Sequence, residues 1–337
     1  MIWIGEKYLS LNRVEYKLKK MILGVLCTSI LFTGCSKQSG LRMEYSGSEV
    51  INSTGMNTYS QAISADFLSN ALAVVMEDEN TMVNEDITAN AAFMINDTTQ
   101  EVLFANNVYE RIYPASTTKL LSALVTLKYA NMNDLVTVSE DNAGITVYGA
   151  KLCSFKKGDT MTIETLLNCL LVYSGNDAGV AIAEHMYGSE AAFVDEMNRL
   201  AASIGATNTH FVNSHGLHDA NHYTTAYDMY LIFKECLKYE EFVKIIEQPS
   251  YTAMITGADG KVRTEVYETT NMFLLGTREA PDGVTVYGGK TGSTSDAGDC
   301  LILYSKANEG DAYISAVFKA KGKTSLYDQL TTLLRME

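Results

Sequence analysis

Three short stretches carry residues whose types and spacing could do chemistry. The first is Ser116-Thr117-Thr118-Lys119. On a helix, side chains three residues apart share a face. A serine hydroxyl attacks only when a neighbouring base takes its proton. A lysine can be that base once the helix dipole and nearby cations lower its pKa. The second is Ser174-Gly175-Asn176, between two helical stretches. There a hydroxyl can pass protons and an amide can hydrogen-bond a peptide. The third is Lys290-Thr291-Gly292, followed by Ser293. Glycines flank Lys290, so the backbone can come close to a ligand. Lys290 offers a positive charge to a carboxylate, and Thr291 and Ser293 offer hydroxyls.

Each stretch alone has an ordinary explanation. Ser116 and Ser174 could serve as helix N-caps. Lys290 could be a surface lysine on a β-turn. S-x-x-K recurs at Ser154–Lys157, and S-x-N recurs at Ser10–Asn12. The conjunction in this order is far less ordinary. It resembles the serine penicillin-recognising peptidases and β-lactamases. The wider text is similar to the D-alanyl-D-alanine carboxypeptidase branch, peptidase family S11. Matching stretches are Pro114–Lys119, Ser174–Ala178, Asn208–Phe211 through His215-Gly216-Leu217, and Gly289–Gly292.

That resemblance implies an activity and a set of roles. Ser116 attacks the bond between two terminal D-alanines of a peptidoglycan stem peptide, and Lys119 takes its proton. Ser174 relays a proton to the leaving D-alanine. Asn176, Lys290, Thr291 and Gly292 bind substrate. The backbone N–H groups of Ser116 and Ser293 form the oxyanion hole. β-Lactams act as covalent inhibitors, and no metal or other cofactor takes part. Two departures stand out. Ser293 replaces a common His, and His218 precedes Asp219 where Asp usually follows His-Gly-Leu directly.

Elements must hold these residues together. Ala91–Ile95 and Glu101–Ala105 flank the turn residues 96–100 and predict a hairpin. Apolar stripes predict helices over Thr117–Tyr129, Ile163–Tyr173, Asn176–Met186, Glu190–Ile204 and Tyr227–Tyr239, with Gly205 closing the fourth. Strands are expected at Tyr251–Ile255, Lys261–Val266, Leu301–Ser305 and Tyr313–Lys319. A last helix is expected at Ser325–Leu334. Both strand groups should join one antiparallel sheet with helices on its faces. The resemblance gives the same class, α/β (α+β): a β-lactamase/transpeptidase-like sheet flanked by helices, with an inserted helical subdomain. The tail after the last strand is too short for the second β-rich domain that many relatives carry.

The N-terminus is a separate object. Lys17, Lys19 and Lys20 precede the apolar run Met21–Phe32, which is shorter than a membrane span but fits a secretory signal. Leu31-Phe32-Thr33-Gly34-Cys35 resembles a lipobox, so lipid on Cys35 would tether the protein to the outer face of a bacterial membrane. Residues 1–34 are expected to be a signal peptide, 35–85 a flexible tether rich in Ser, Gly, Asn and Thr, and 86–337 the domain. One short helix is expected at Ala65–Met76. Hydrophobic residues make up 47% of the chain and charged ones 20%, which suits a buried core. The net charge of −14 repels nucleic acid. Cys153, Cys169, Cys236 and Cys300 are widely spaced, and small buried hydrophobes fit them better than a zinc site or disulfides.

Two rival chemistries remain on the page. A class A-like β-lactamase would need a Glu-x-x-x-Asn loop after Ser174; the chain has only Glu164 to Asn168, before it. A metal hydrolase could use His210, His215, His218 and His222, although Gly216 and Asn221 predict a loop and there is no H-E-x-x-H.

Overall fold

A run that is apolar at every position, such as Ala91–Ile95, suits a strand covered on both faces. The computed structural model describes residues 72–308 and 310–337, and it bears this out. Strand β1 (Ala91–Asn96) is buried throughout. It forms the expected hairpin with β2 (Val102–Asn106). Three more strands complete the main sheet: β7 (Val284–Thr294), β8 (Gly298–Ala307) and β9 (Ala312–Ala320). Their order is β2-β1-β9-β8-β7, antiparallel throughout. Successive side chains leave a strand on opposite faces. Phe93, Ile302, Ile314 and Phe318 accordingly join the larger core, under the helices. Met94, Leu301, Leu303 and Val317 join a second core, beneath the C-terminal helix.

Residues 251–255 and 261–266 are strands, as expected, but they do not join that sheet. They correspond to β5 (Ser250–Thr256) and β6 (Val262–Glu268) of a separate sheet, β6 starting one residue after the expected Lys261. Its other strands are β3 (Leu135–Thr137) and β4 (Thr160–Thr162), in the order β3-β4-β5-β6. The reason is visible in the burial. Ala253 and Ile255 are buried while Met254 is 69% exposed, the alternation of a sheet with one wet face. Asp159 and Arg263, paired Oδ1 to Nη1 at 2.8 Å, fasten β6 to the turn before β4.

Between the strand groups runs the helical part. The nucleophile stretch begins as a 3₁₀ turn, Ala115–Thr118, and continues as α1 (Lys119–Tyr129), whose first eight residues are all buried. The stripe over 163–173 splits into α2 (Ile163–Asn168) and a widened π-type turn, Cys169–Tyr173. Helices α3 (Asn176–Tyr187) and α4 (Glu190–Ser203) follow, the latter capped by Ser189. The stripe over 227–239 becomes α5 (Ala226–Cys236), capped by Thr225, with α6 (Glu240–Ile246) after it. Helix α7 (Lys323–Leu334) covers the outer face of the sheet.

The expected signal peptide and Cys35 lie outside the described residues, as does the tether up to residue 71. Residues 72–85, expected within that tether, pack on the domain instead. Ala73 and Val75 are 1% and 3% exposed. Buried backbone groups need partners, and three tyrosines supply them. Tyr230 Oη accepts from Ala73 N–H, while Tyr227 and Tyr109 donate to the carbonyls of Ala73 and Val75. Residues 72–76 are not helical. The four cysteines of the domain are buried free thiols. No helix among the described residues is long and apolar enough to cross a membrane.

Candidate active site

The three stretches converge. Lys119, at the start of α1, is fully buried and turned back towards Ser116, with Nζ 2.9 Å from its Oγ. The same Nζ lies 2.6 Å from Asn176 Oδ1 and 2.5 Å from the carbonyl of His215. Burial dominates over the opposing charge of Asp177 and lowers the lysine pKa to about 7. A neutral amine has two N–H groups and one lone pair. Two of its neighbours are acceptors only, so they take the N–H groups. The lone pair then faces the hydroxyl of Ser116, the arrangement that general-base activation requires.

The π-type turn ends at Ser174 in the left-handed conformation, φ 71°. This puts its hydroxyl opposite β7, where Lys290 Nζ donates to Ser174 Oγ at 2.9 Å and to Thr291 O at 2.8 Å. Lys290 is 1% exposed, and burial, then the charges of Lys119 and Lys151, hold its pKa well below the ordinary lysine range. Its Nζ reaches Ser174 and its own strand because the pleat of β7 turns position 290 inward. Thr291, Gly292 and Ser293 do face the cleft. Asn176 opens α3 with its side chain buried and its carbonyl committed to Lys119.

Two glycines permit the convergence. A Cβ on Gly292 would stand 2.8 Å from Pro114 O and 2.9 Å from Ser116 N, so only glycine lets β7 pass this close to the nucleophile turn. Gly216 has φ +89°, and a Cβ there would meet Ala115 O at 1.9 Å. That contact seats the His215-Gly216-Leu217 loop and delivers the His215 carbonyl to Lys119. Ala115 itself is held at φ 47°, a costly conformation that places Ser116 at the cleft.

The histidines serve this scaffold. His222 Nδ1 accepts from Val212 N–H at 3.0 Å, and Nε2 lies 2.7 Å from Thr118 Oγ1. Its ring stacks on Phe211. His215 Nδ1 accepts from Leu217 N–H. Burial lowers both pKa values to about 3, so both rings are neutral. His210 bonds the Asn221 carbonyl, and His218 stands edge-on to Tyr113. Among the described residues no three His, Cys, Asp or Glu side chains are grouped to hold a metal. Glu164 and Asn168 bond each other within α2 and do not line the cleft.

Sequence reasoning missed several groups. Asp177 follows the S-x-N stretch and accepts from the backbone N–H groups of Cys153 and Ser154, each at 2.9 Å. It thereby holds the 151–155 loop against α3. Lys151, Thr270, Lys323 and Tyr327 line the cleft, which has a volume of about 200 Å³. No local motif marks them, since each arrives from a distant part of the chain.

A sequence profile of the family described as D-alanyl-D-alanine carboxypeptidase, peptidase S11, matches residues 77–322. The chain belongs to this family. The S11 domain is 34% identical over 259 residues to D-alanyl-D-alanine carboxypeptidase DacF of Bacillus subtilis, covering 73% of this chain and 61% of the relative. It is 30% identical to DacC of Escherichia coli, covering 76% of this chain and 62% of the relative. The chain thus spans about three-fifths of the length of these relatives. Among solved structures, a Streptomyces DD-transpeptidase superposes with a TM-score of 0.69 at 26% identity, over 76% of this chain and 98% of that one. Penicillin binding protein 5 from Haemophilus influenzae gives 0.66 at 28% identity, over 75% and 72%. These neighbours bear out the β-lactamase/transpeptidase-like fold.

Proposed function

We propose that this protein is a serine-type D-alanyl-D-alanine carboxypeptidase. It removes the terminal D-alanine from peptidoglycan stem pentapeptides through an acyl-enzyme on Ser116. The observation that carries the reading is the buried Lys119, whose Nζ lies within hydrogen-bond distance of Ser116 Oγ as well as of Asn176 Oδ1 and the His215 carbonyl.

In this reading Lys119 takes the Ser116 proton as Oγ attacks the D-alanyl carbonyl. The oxyanion is received by the backbone N–H groups of Ser116 and Ser293, which Gly292 allows to approach each other. Ser174 relays the proton taken up by Lys119 to the leaving amine, which returns Lys119 to its unprotonated form for deacylation. Asn176 orients Lys119 and turns its amide NH₂ towards substrate. Thr291 lends its hydroxyl to the leaving residue. Water then frees the acyl-enzyme, and β-lactams occupy the same serine as lasting adducts. The family, and the names of its relatives, support action on the wall side of a bacterial membrane. Secretion through residues 1–34 and lipid on Cys35 complete the proposal.

Intact-mass spectrometry after brief exposure to penicillin tests it. One adduct should appear on the wild type, mapped to Ser116, and none on Ser116→Ala of unchanged melting temperature. Labelling that survives in that variant means the nucleophile is elsewhere. Rapid loss of the adduct with turnover of the drug would favour a β-lactamase instead.

A further inference from the structure

The turn that carries Ser174 and Asn176 is built against two thiols that the chemistry above does not use. Cys153 is 8% exposed and Cys169 is fully buried. Burial, then a hydrogen bond to the Cys169 thiol, holds the Cys153 thiol well above its ordinary pKa. The two sulfurs are therefore neighbours, although β4 and α2 lie between them in the chain. Gly175 is wedged against both residues. A Cβ there would meet Cys153 Sγ at 2.3 Å and the Cys169 carbonyl at 3.5 Å. Gly175 N–H also donates to that carbonyl at 3.1 Å, and Asn176 N–H donates to the carbonyl of Lys151 at 2.8 Å. The loop around Cys153 is itself strained. Ser154 is held at φ 65°, a costly conformation, while Tyr267 Oη donates to the Cys153 carbonyl at 3.0 Å. By contrast, Cys236 and Cys300 each donate to a backbone carbonyl.

We propose that Cys153 and Cys169 are a redox-active pair, and that a disulfide closed between them slows acylation of Ser116. Disulfides form and persist on the wall side of a bacterial membrane, where the proposed function puts the protein. Cys153 is the more exposed of the two, so an external disulfide meets it first. The Cys153 thiolate attacks one sulfur of that disulfide and releases one thiol. The Cys169 thiolate then attacks Cys153 Sγ in the mixed disulfide and releases the second thiol. The two protons lost by the cysteines go to the two released thiols, so one external disulfide is reduced for each bond made. Because burial keeps the Cys153 thiol protonated, the exchange is slow; it sets the state of the enzyme rather than its turnover. A disulfide holds its sulfurs about 2.05 Å apart, well inside a non-bonded contact. Cys153 Sγ must move towards Cys169, and Gly175, packed on that sulfur, moves with it. Ser174 and Asn176 flank Gly175, and a displacement of about 1 Å at a catalytic group costs up to about 10²-fold in rate.

Peptide mapping and penicillin acylation, run together on the full chain, test it. Reduced protein is incubated with oxidised glutathione. A non-reducing digest should then show one peptide pair joined through Cys153 and Cys169, lighter by two hydrogens, with Cys236 and Cys300 still free. Acylation of Ser116 should slow by about tenfold to 10²-fold and recover with dithiothreitol. Cys153→Ala and Cys169→Ala should acylate at the reduced wild-type rate with or without the oxidant. Their melting temperatures are measured alongside, and Cys153→Ser stands in for an alanine variant that melts early. Absence of the joined peptides, joining without slower acylation, or slowing that survives in Cys153→Ala overturns the proposal. Reduced wild type that takes up no penicillin defeats the carboxypeptidase reading instead, and the digest alone then decides whether the pair forms.

Discussion

Acidification should silence Ser116 by protonating Lys119. The amine is fully buried, and that burial brings its pKa down to about 7. At pH 6 about one amine in eleven is then unprotonated, and at pH 8 about ten in eleven. Acylation by penicillin should therefore rise about tenfold per pH unit between pH 5 and 6 and flatten above pH 8. Quenched-flow acylation with intact-mass readout, from pH 5 to 10, measures this directly. A control comes from Asp177, whose charge pushes the Lys119 pKa upward. Asp177→Asn should move the midpoint to lower pH. A flat profile down to pH 5, or a midpoint near that of an ordinary lysine, would refute the assignment of Lys119 as base. The same shift bears on stability. Between about pH 7 and 10.5 the unfolded chain holds a proton on Lys119 that the folded chain lacks. That contribution makes the fold more stable as pH rises through the window.

Other consequences follow from the packing. Gly292→Ala places a methyl against Pro114 O and Ser116 N; penicillin acylation should fall by about 10²-fold with a small loss in melting temperature, measured side by side. Gly216→Ala combines φ +89° with a clash on Ala115 O and should cost about 3 kcal/mol or more in urea unfolding. His215 and His222 have pKa values of about 3 in the fold against 6.5 in an unfolded chain, which then binds more protons as pH falls through that window. Stability should drop between pH 7.5 and 5 by up to about 2 kcal/mol per histidine, and an unchanged melting temperature would contradict this. Arg263→Met removes the guanidinium from Asp159, which is 1% exposed but keeps the Lys156 N–H, and should destabilise by about 1–2 kcal/mol in the same unfolding assay.

What the sequence determined by itself was the set of reacting groups and most of the local elements. Ser116, Lys119, Ser174, Asn176 and Lys290 sit in short motifs, and their meeting was predictable once the three motifs were taken together. The hairpin at 91–105 and the helices α3 and α4 were legible because periodicity and turn chemistry are local signals. Tertiary structure decided the rest. Whether 251–266 joins the main sheet depends on partners far along the chain; β3 and β4, three residues each, carry too little pattern to announce themselves. The glycines at 288 and 289 hid β7, since glycine weakens any strand signal. Which way a side chain points is also a tertiary outcome. The pleat of β7 turns Lys290 towards Ser174, and folding brings Lys151 and Lys323 to the cleft from stretches far apart in the chain. The base strength of Lys119 is likewise invisible in a motif, because desolvation is a property of everything packed around an amine and not of its neighbours in sequence.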